Sequence, residues 1–127
     1  RYEIKKIIEE LIRWDSPLQF FQRWVLEDTS LGGFDLKKNS KIAILLGSAN
    51  RDELAFINAE IINFERDNLS HTSFGGGVHF CLGAHLARLE LEVSLTNLFK
   101  NEISLVDEPV RTGAFGIRGY KEITVVY

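Results

Sequence analysis

The stretch SFGGGVHFCLGAHLARLE, running from Ser73 to Glu90, decides how this sequence is read. It sets three successive glycines, Gly75, Gly76 and Gly77, shortly before Cys81, the single cysteine of the chain. Glycine loses more backbone freedom on folding than any other residue, so a run of them implies that bare backbone is needed near that sulfur. After the cysteine, Ala84, Ala87, Leu91, Leu95 and Leu98 recur at helical spacing, and Leu82, Leu86, Leu89 and Val93 form a second stripe. A helix apolar on two faces is expected to be buried. At the start of such a helix, unpartnered N–H groups and the positive end of the dipole favour an anion, so Cys81 reads as a thiolate fit for metal ligation or nucleophilic attack. Gly77 and Gly83 remove Cβ atoms that would hold a flat partner away, and a loop with so little bulk suits a large planar ligand such as haem.

Three other readings of the same residues stay open at this level. A lone cysteine is commonly a small buried hydrophobe. A glycine-rich loop before a helix can cradle phosphate, but the spacing is not that of a P-loop and no Lys-Ser/Thr follows. A cysteine hydrolase would need a base; His71, His79 and His85 are available, and nothing in their spacing selects one.

Outward from this loop the chain reads as mixed α and β. From Tyr2 to Trp14, the residues Ile4, Ile7, Ile8, Leu11 and Ile12 follow the rhythm of an amphipathic helix. Pro17 ends it, since the residue before a proline is pushed out of helical geometry. FFQRWVLE predicts a strand, Gly32-Gly33 and Asn39-Ser40 predict turns, and the apolar run KIAILLGSA predicts a largely buried strand. Asn50 to Asp52 predicts the cap of a short helix from about Asp52 to Phe56. From Ile57 to Thr72 no period wins, which predicts an irregular packed segment. The tail AFGIRGYKEITVVY predicts two short strands turning at Gly119.

Composition bounds the function classes. With 127 residues, 45% hydrophobic and 26% charged, the chain has an ordinary globular balance and enough apolar residues for a core. A net charge of -3 with no basic tract gives no reason to expect a nucleic-acid partner. No apolar run approaches the roughly 18 residues of a membrane span, and no signal segment opens the chain. One cysteine forms no internal disulfide, which points to a reducing, cytoplasmic setting. The chain opens in helical rhythm, uncapped and without methionine, so it is expected to be a piece of something longer.

The motif FGGGVHFCLG resembles the haem-binding loop of the cytochrome P450 family, the haem-thiolate monooxygenases. Phe74, Gly75, Gly77, His79, Cys81, Leu82 and Gly83 fill that pattern throughout. Glu10 and Arg13 match the family's Glu-x-x-Arg pair, SPLQFFQRWVLEDTSLGG resembles the following piece of soluble bacterial members, and SANRD matches at Ser48 to Asp52. The resemblance implies an α+β fold: the C-terminal portion of a P450 domain over residues 1–127, with the N-terminal part and its distal helix absent. It implies haem b (iron protoporphyrin IX), with Cys81 as the iron ligand. Gly75 and Gly83 would leave room in the loop, Phe74 would pack beside the sulfur, and Leu82 and Ala84 would touch the proximal face. Arg23 and His79 would meet the propionates.

The reaction implied is insertion of one oxygen atom from O2 into a small apolar organic substrate, with electrons from a ferredoxin-type or flavin partner. The 127-residue piece alone is expected to be inactive; a stand-alone haem-binding protein or a non-catalytic remnant is the alternative. Leu18, Gln19, Phe20 and Phe21, with Gly116 and Ile117, are candidate substrate contacts. Arg88 reads as a solvated helical charge that could meet an acidic redox partner. Two departures stand out: AFINAEIINFE lacks the prolines usual there, and Ile61 stands near where a basic residue often completes the Glu-Arg network.

Overall fold

A computed structural model describes residues 3–127; Arg1 and Tyr2, and with them the predicted start of the first helix, lie outside the described residues. Helix α1 spans Ile4–Trp14, preceded by Glu3, which makes no side-chain cap. It buries Ile8 and Ile12 on the predicted apolar stripe, and Glu10 and Arg13 beside them. Strands β1 (Phe21–Trp24), β2 (Thr29–Leu31), β3 (Phe34–Leu36) and β4 (Lys41–Ile44) follow. Strands β1 and β4 pair antiparallel, with Arg23 opposite Ile42, while β2 and β3 form a hairpin across Gly32 and Gly33. Both glycines have positive φ, 59° and 83°, as a tight hairpin turn requires. The turn is as the sequence predicts; the two short strands flanking it were not legible.

Several elements depart from expectation. KIAILLGSA is not one buried strand: it divides into β4 and helix α2 (Leu46–Ala49), and only Leu46 within it is buried. Its Ala43 and Ile44 are exposed on a two-stranded ladder. The helix predicted from Asp52 is a single turn, in which Ala55 and Phe56 N–H groups bond the Asp52 carbonyl. The tail is also arranged differently. Strands β5 (Ser104–Leu105), β6 (Val110–Arg111), β7 (Tyr120–Glu122) and β8 (Val125–Val126) pair as β5 with β8 and β6 with β7. Gly119 is therefore no turn; its carbonyl accepts the Thr112 N–H at 3.0 Å as part of the ladder. The chain reverses through residues 113–118, starting at Gly113 with φ 75°.

Helix α3 (Ala84–Leu98) forms where the two stripes predict it, but it is not enclosed. Ala84 alone is buried; Leu86, Leu89 and Val93 are each more than half exposed. Helix α3 packs on α1, and Leu89 of the second stripe borders that contact, while most of the stripe stays exposed among the described residues. The apolar core is correspondingly small: Ile8, Ile12, Val25, Leu46, Phe56, Ala59 and Ala84. Nearly as many polar groups are buried, namely Glu10, Arg13, Ser16, Asn50, Arg66 and Ser73. No helix among the described residues is long and apolar enough to cross a membrane.

Candidate functional site

The buried polar groups form one connected knot beneath the cysteine loop. Arg13 holds Glu10 through two bonds, Nε to Oε2 at 2.7 Å and Nη2 to Oε1 at 2.8 Å, with neither residue exposed. Arg66 adds a second guanidinium, its Nε 3.1 and 3.2 Å from the two Glu10 oxygens. Burial by itself would raise the Glu10 carboxyl; the bonds from Arg13, the Asn63 amide and Arg66 outweigh it and hold the group below its ordinary value. Two cations about one buried anion leave donors to spare, and these fix the next segment.

From Ile57 to Ile61, each successive carbonyl accepts a side-chain donor: Ile57 and Asn58 from Arg66, Ala59 from Arg13, Glu60 from Trp14, and Ile61 from both arginines. The segment is irregular, as its missing periodicity predicts, yet it is tied by backbone rather than side chains. The departure noted at Ile61 resolves here. The basic residue is Arg66, five positions on, and Ile61 contributes only its carbonyl. Arginine donors pin the carbonyls that prolines would otherwise stiffen.

Asn50 connects this knot to the loop. Its carbonyl accepts from Arg13 Nη1 at 2.7 Å, its Nδ2 donates to Ser16 and Ser73 hydroxyls, and its Oδ1 accepts from the Thr72 N–H and hydroxyl. Ser73 Oγ donates to the Ile12 carbonyl at 2.9 Å. The first residue of the glycine loop is thereby anchored to the end of α1.

In the loop itself, Gly75 and Gly77 adopt φ 72° and 59°, values open to glycine at little cost, whereas Gly76 is extended. A Cβ at Gly75 would meet the His79 carbonyl at 3.4 Å. Residues Gly77–His79 make one tight turn, after which Cys81 N–H bonds the Phe74 carbonyl at 2.9 Å. The Cys81 carbonyl in turn accepts the first N–H of α3, from Ala84, at 3.2 Å. The cysteine stands just ahead of the helix, free and exposed rather than buried in hydrocarbon. Its side chain borders an open groove of about 390 Å³ lined also by Leu18, Phe21, Phe74, His79, Ala87 and Leu91.

This groove sorts the predicted residues. Cys81, His79 and Phe74 meet in it. Gly83 is adjacent, since a Cβ there would lie 3.9 Å from the Cys81 sulfur. Arg23 does not line it; on β1 it shares a face with Phe21, and its guanidinium lies 5.5 Å from that lining ring. Leu82 is 98% exposed and is not among the lining residues. Ala84, expected to touch the bound group, is wholly enclosed at the helix start and does not line the groove. Ala87 and Leu91, later on the same stripe, take that place; the helical spacing that marked the stripe was the signal for them.

The two stretches expected to approach a substrate do meet. Leu18 and Ile117 form an antiparallel bridge, flanked by Gln19 N–H to the Gly116 carbonyl at 2.9 Å and Arg118 N–H to the Pro17 carbonyl at 2.7 Å. Phe20 lies against Phe115, with ring centroids 5.6 Å apart. Arg88 differs most from expectation. It is not a free helical charge: Glu9 binds it twice, at 2.6 and 2.8 Å, and its guanidinium lies 4.6 Å from the centre of the Phe74 ring. The bonds from Glu9 raise its pKa.

The donor set around the sulfur suits a particular kind of metal group. Among the described residues no cluster of three or more His, Cys, Asp and Glu side chains surrounds Cys81, and a group held there would meet the sulfur as its protein ligand from this chain. A macrocycle brings its other metal ligands with it, and an apolar groove beside the sulfur fits one.

The comparisons agree. The profile described as Cytochrome P450 matches residues 4–107, and the chain belongs to that family. It is 44% identical over 126 residues to the steroid C26-monooxygenase of Rhodococcus jostii, an alignment covering 97% of this chain and 27% of that protein. It is 45% identical over 95 residues to cytochrome P450 109 of Bacillus spizizenii, covering 75% of this chain and 24% of that one. Among solved structures, P450BioI in complex with hexadec-9Z-enoic acid ligated acyl carrier protein superposes with a TM-score of 0.94 at 35% identity, over 98% of this chain and 33% of that one. The chain thus spans about a quarter to a third of the length of the relatives it matches. The α+β arrangement here is that of the corresponding portion of a P450 fold.

Proposed function

We propose that this chain is the haem-holding part of a monooxygenase that inserts one atom of O2 into a small, apolar organic substrate. The observation that carries the proposal is the exposed Cys81 side chain bordering an apolar groove, on a loop anchored from below by buried hydrogen bonds. Haem b ligated by thiolate supplies O2 activation, because sulfur donation favours O–O cleavage.

The protein's own contributions follow from its residues. Cys81 provides the sulfur, and the bond from its N–H to the Phe74 carbonyl fixes the approach of that sulfur. Phe74, Ala87 and Leu91 give the groove an apolar lining around it. His79, which lines the groove, would meet one propionate, and Arg23, one contact away through Phe21, would meet the other; paired carboxylates need cationic or hydrogen-bonding partners. The bridged pair of stretches at Leu18 and Ile117 would present Phe20, Phe21, Gly116 and Ile117 to the substrate. A ferredoxin-type or flavin partner would deliver the electrons, in a reducing, cytoplasmic setting that keeps the thiol free. The 127 residues alone would not turn over substrate, because the groove beside the sulfur is open on one side.

The test is spectroscopic. Whole protein carrying these residues, loaded with haem, reduced and exposed to carbon monoxide, should show the strongly red-shifted Soret band of thiolate ligation. Cys81→Ala should abolish it, and survival of the band in that variant would assign the iron to another residue.

A further inference from the structure

Phe74 is held by a chain of contacts that no ligand role explains. Glu9, on α1, binds Arg88 of α3 through both carboxylate oxygens. The same carboxylate lies 3.1 Å from His71 Nε2. Because His71 Nδ1 accepts the Ser73 N–H at 3.3 Å, Nε2 carries the proton and donates to Glu9. Arg88 covers the Phe74 ring at 4.6 Å, while the His71 ring flanks it at a centroid distance of 5.9 Å. The Phe80 ring lies tilted against it, with a centroid distance of 6.4 Å. Phe74 in turn carries the carbonyl that holds the Cys81 amide.

We infer that Arg88 is a positioning residue for the cysteine ligand: held by Glu9, it clamps Phe74 and so fixes the Cys81 backbone. The cation over the ring needs no contact with the sulfur to act, because Phe74 transmits its position through one hydrogen bond. Glu9 supplies the orientation, since a planar guanidinium gripped at two points cannot rotate off the ring face. Arg88→Lys keeps the charge but loses the fork, and is expected to restore only part of the effect.

The inference rests on the ligand role of Cys81 for its consequence, but its cause is testable without haem. In the haem-free protein, amide exchange at Cys81 should accelerate roughly tenfold in Arg88→Ala, the scale of one lost cation–π contact. Val25, whose N–H bonds the Ser40 carbonyl far from the loop, should exchange unchanged. Glu9→Gln should give the same pattern more weakly and serves as the readout should Arg88→Ala not fold. In the haem-loaded, reduced protein with carbon monoxide, Arg88→Ala should lose part of the thiolate band, and Arg88→Lys should recover part of it. Absence of that band in the unaltered protein would overturn the ligand role of Cys81 and leave the exchange result standing. Unchanged Cys81 exchange in every folded variant, or equal acceleration at Val25, would overturn the positioning role.

Discussion

The polar knot beneath α1 and the cysteine loop above it are built on opposite terms. In the knot, Glu10, Arg13, Asn50 and Ser73 are almost wholly enclosed, and their hydrogen bonds are made within the chain. In the loop, Gly76 to Leu82 are exposed, and the only cysteine has no disulfide partner. Order comes from the first and access from the second. A large flat ligand needs an open face, so the rigidity of its ligand loop has to be supplied from behind, through Ser73 and Phe74. Buried charge is an expensive way to do so, since desolvation is recovered only when every donor finds an acceptor. Here the surplus donors of Arg13 and Arg66 are spent on the carbonyls of Ile57, Asn58, Ala59 and Ile61, which explains why an irregular segment can be tied down without a core of its own.

The contrast can be broken most strongly at the knot. Arg13→Ala leaves Glu10 buried against a single cation and frees the Asn50 and Ala59 carbonyls; it should lower unfolding stability by about 3–5 kcal/mol in denaturant titration. Acid should reach the same residues more gently, because a protonated Glu10 keeps some of its hydrogen bonds. The Glu9 and Glu10 carboxyls are both held below their ordinary value of 4.5, so the stability they contribute is full above that pH and is lost as pH falls through their lowered values. His71 is also lowered from 6.5, chiefly by burial, with Glu9 opposing. Its neutral form is favoured in the folded state, so its share is complete above 6.5 and declines below. Stability followed against pH should therefore fall first in a shallow limb below 6.5 and then more steeply below 4.5, and His71→Gln should remove the shallow limb only.

Changes in the loop should be smaller. Gly75→Ala places a side chain at φ 72° with the His79 carbonyl 3.4 Å away, which should cost about 1–2 kcal/mol. Val78 is 98% exposed, and Val78→Thr should move stability by less than about 0.5 kcal/mol in the same titration. Equal losses at Val78 and Arg13 would erase the distinction between the two regions.

What was legible in the sequence follows the same division. Local pattern fixes α1, the start of α3, the Gly32-Gly33 turn and the glycine loop, because each depends on residues a few positions apart. Pairings over long distance were not legible. Nothing near Arg66 announces that it reaches Glu10, 56 positions away, and nothing in Arg88 says that Glu9 will hold it rather than solvent. The tail was misread for that reason too: β7 and β8 are adjacent in sequence, but each finds its partner in the preceding stretch. Burial failed as a guide on α3, where two apolar stripes predict enclosure and only Ala84 is enclosed among the described residues. At the site, the motif's short spacing makes Cys81, Phe74 and His79 neighbours around one groove, whereas the lining by Ala87 and Leu91 follows from the groove running along the helix.

Whether the sulfur of Cys81 binds iron is tested most directly by X-ray absorption at the iron edge of the haem-loaded protein. One sulfur should appear in the first coordination shell of the unaltered protein and none in Cys81→Ala. A shell made only of nitrogen and oxygen in the unaltered protein, or a sulfur that persists after the substitution, would contradict that ligation.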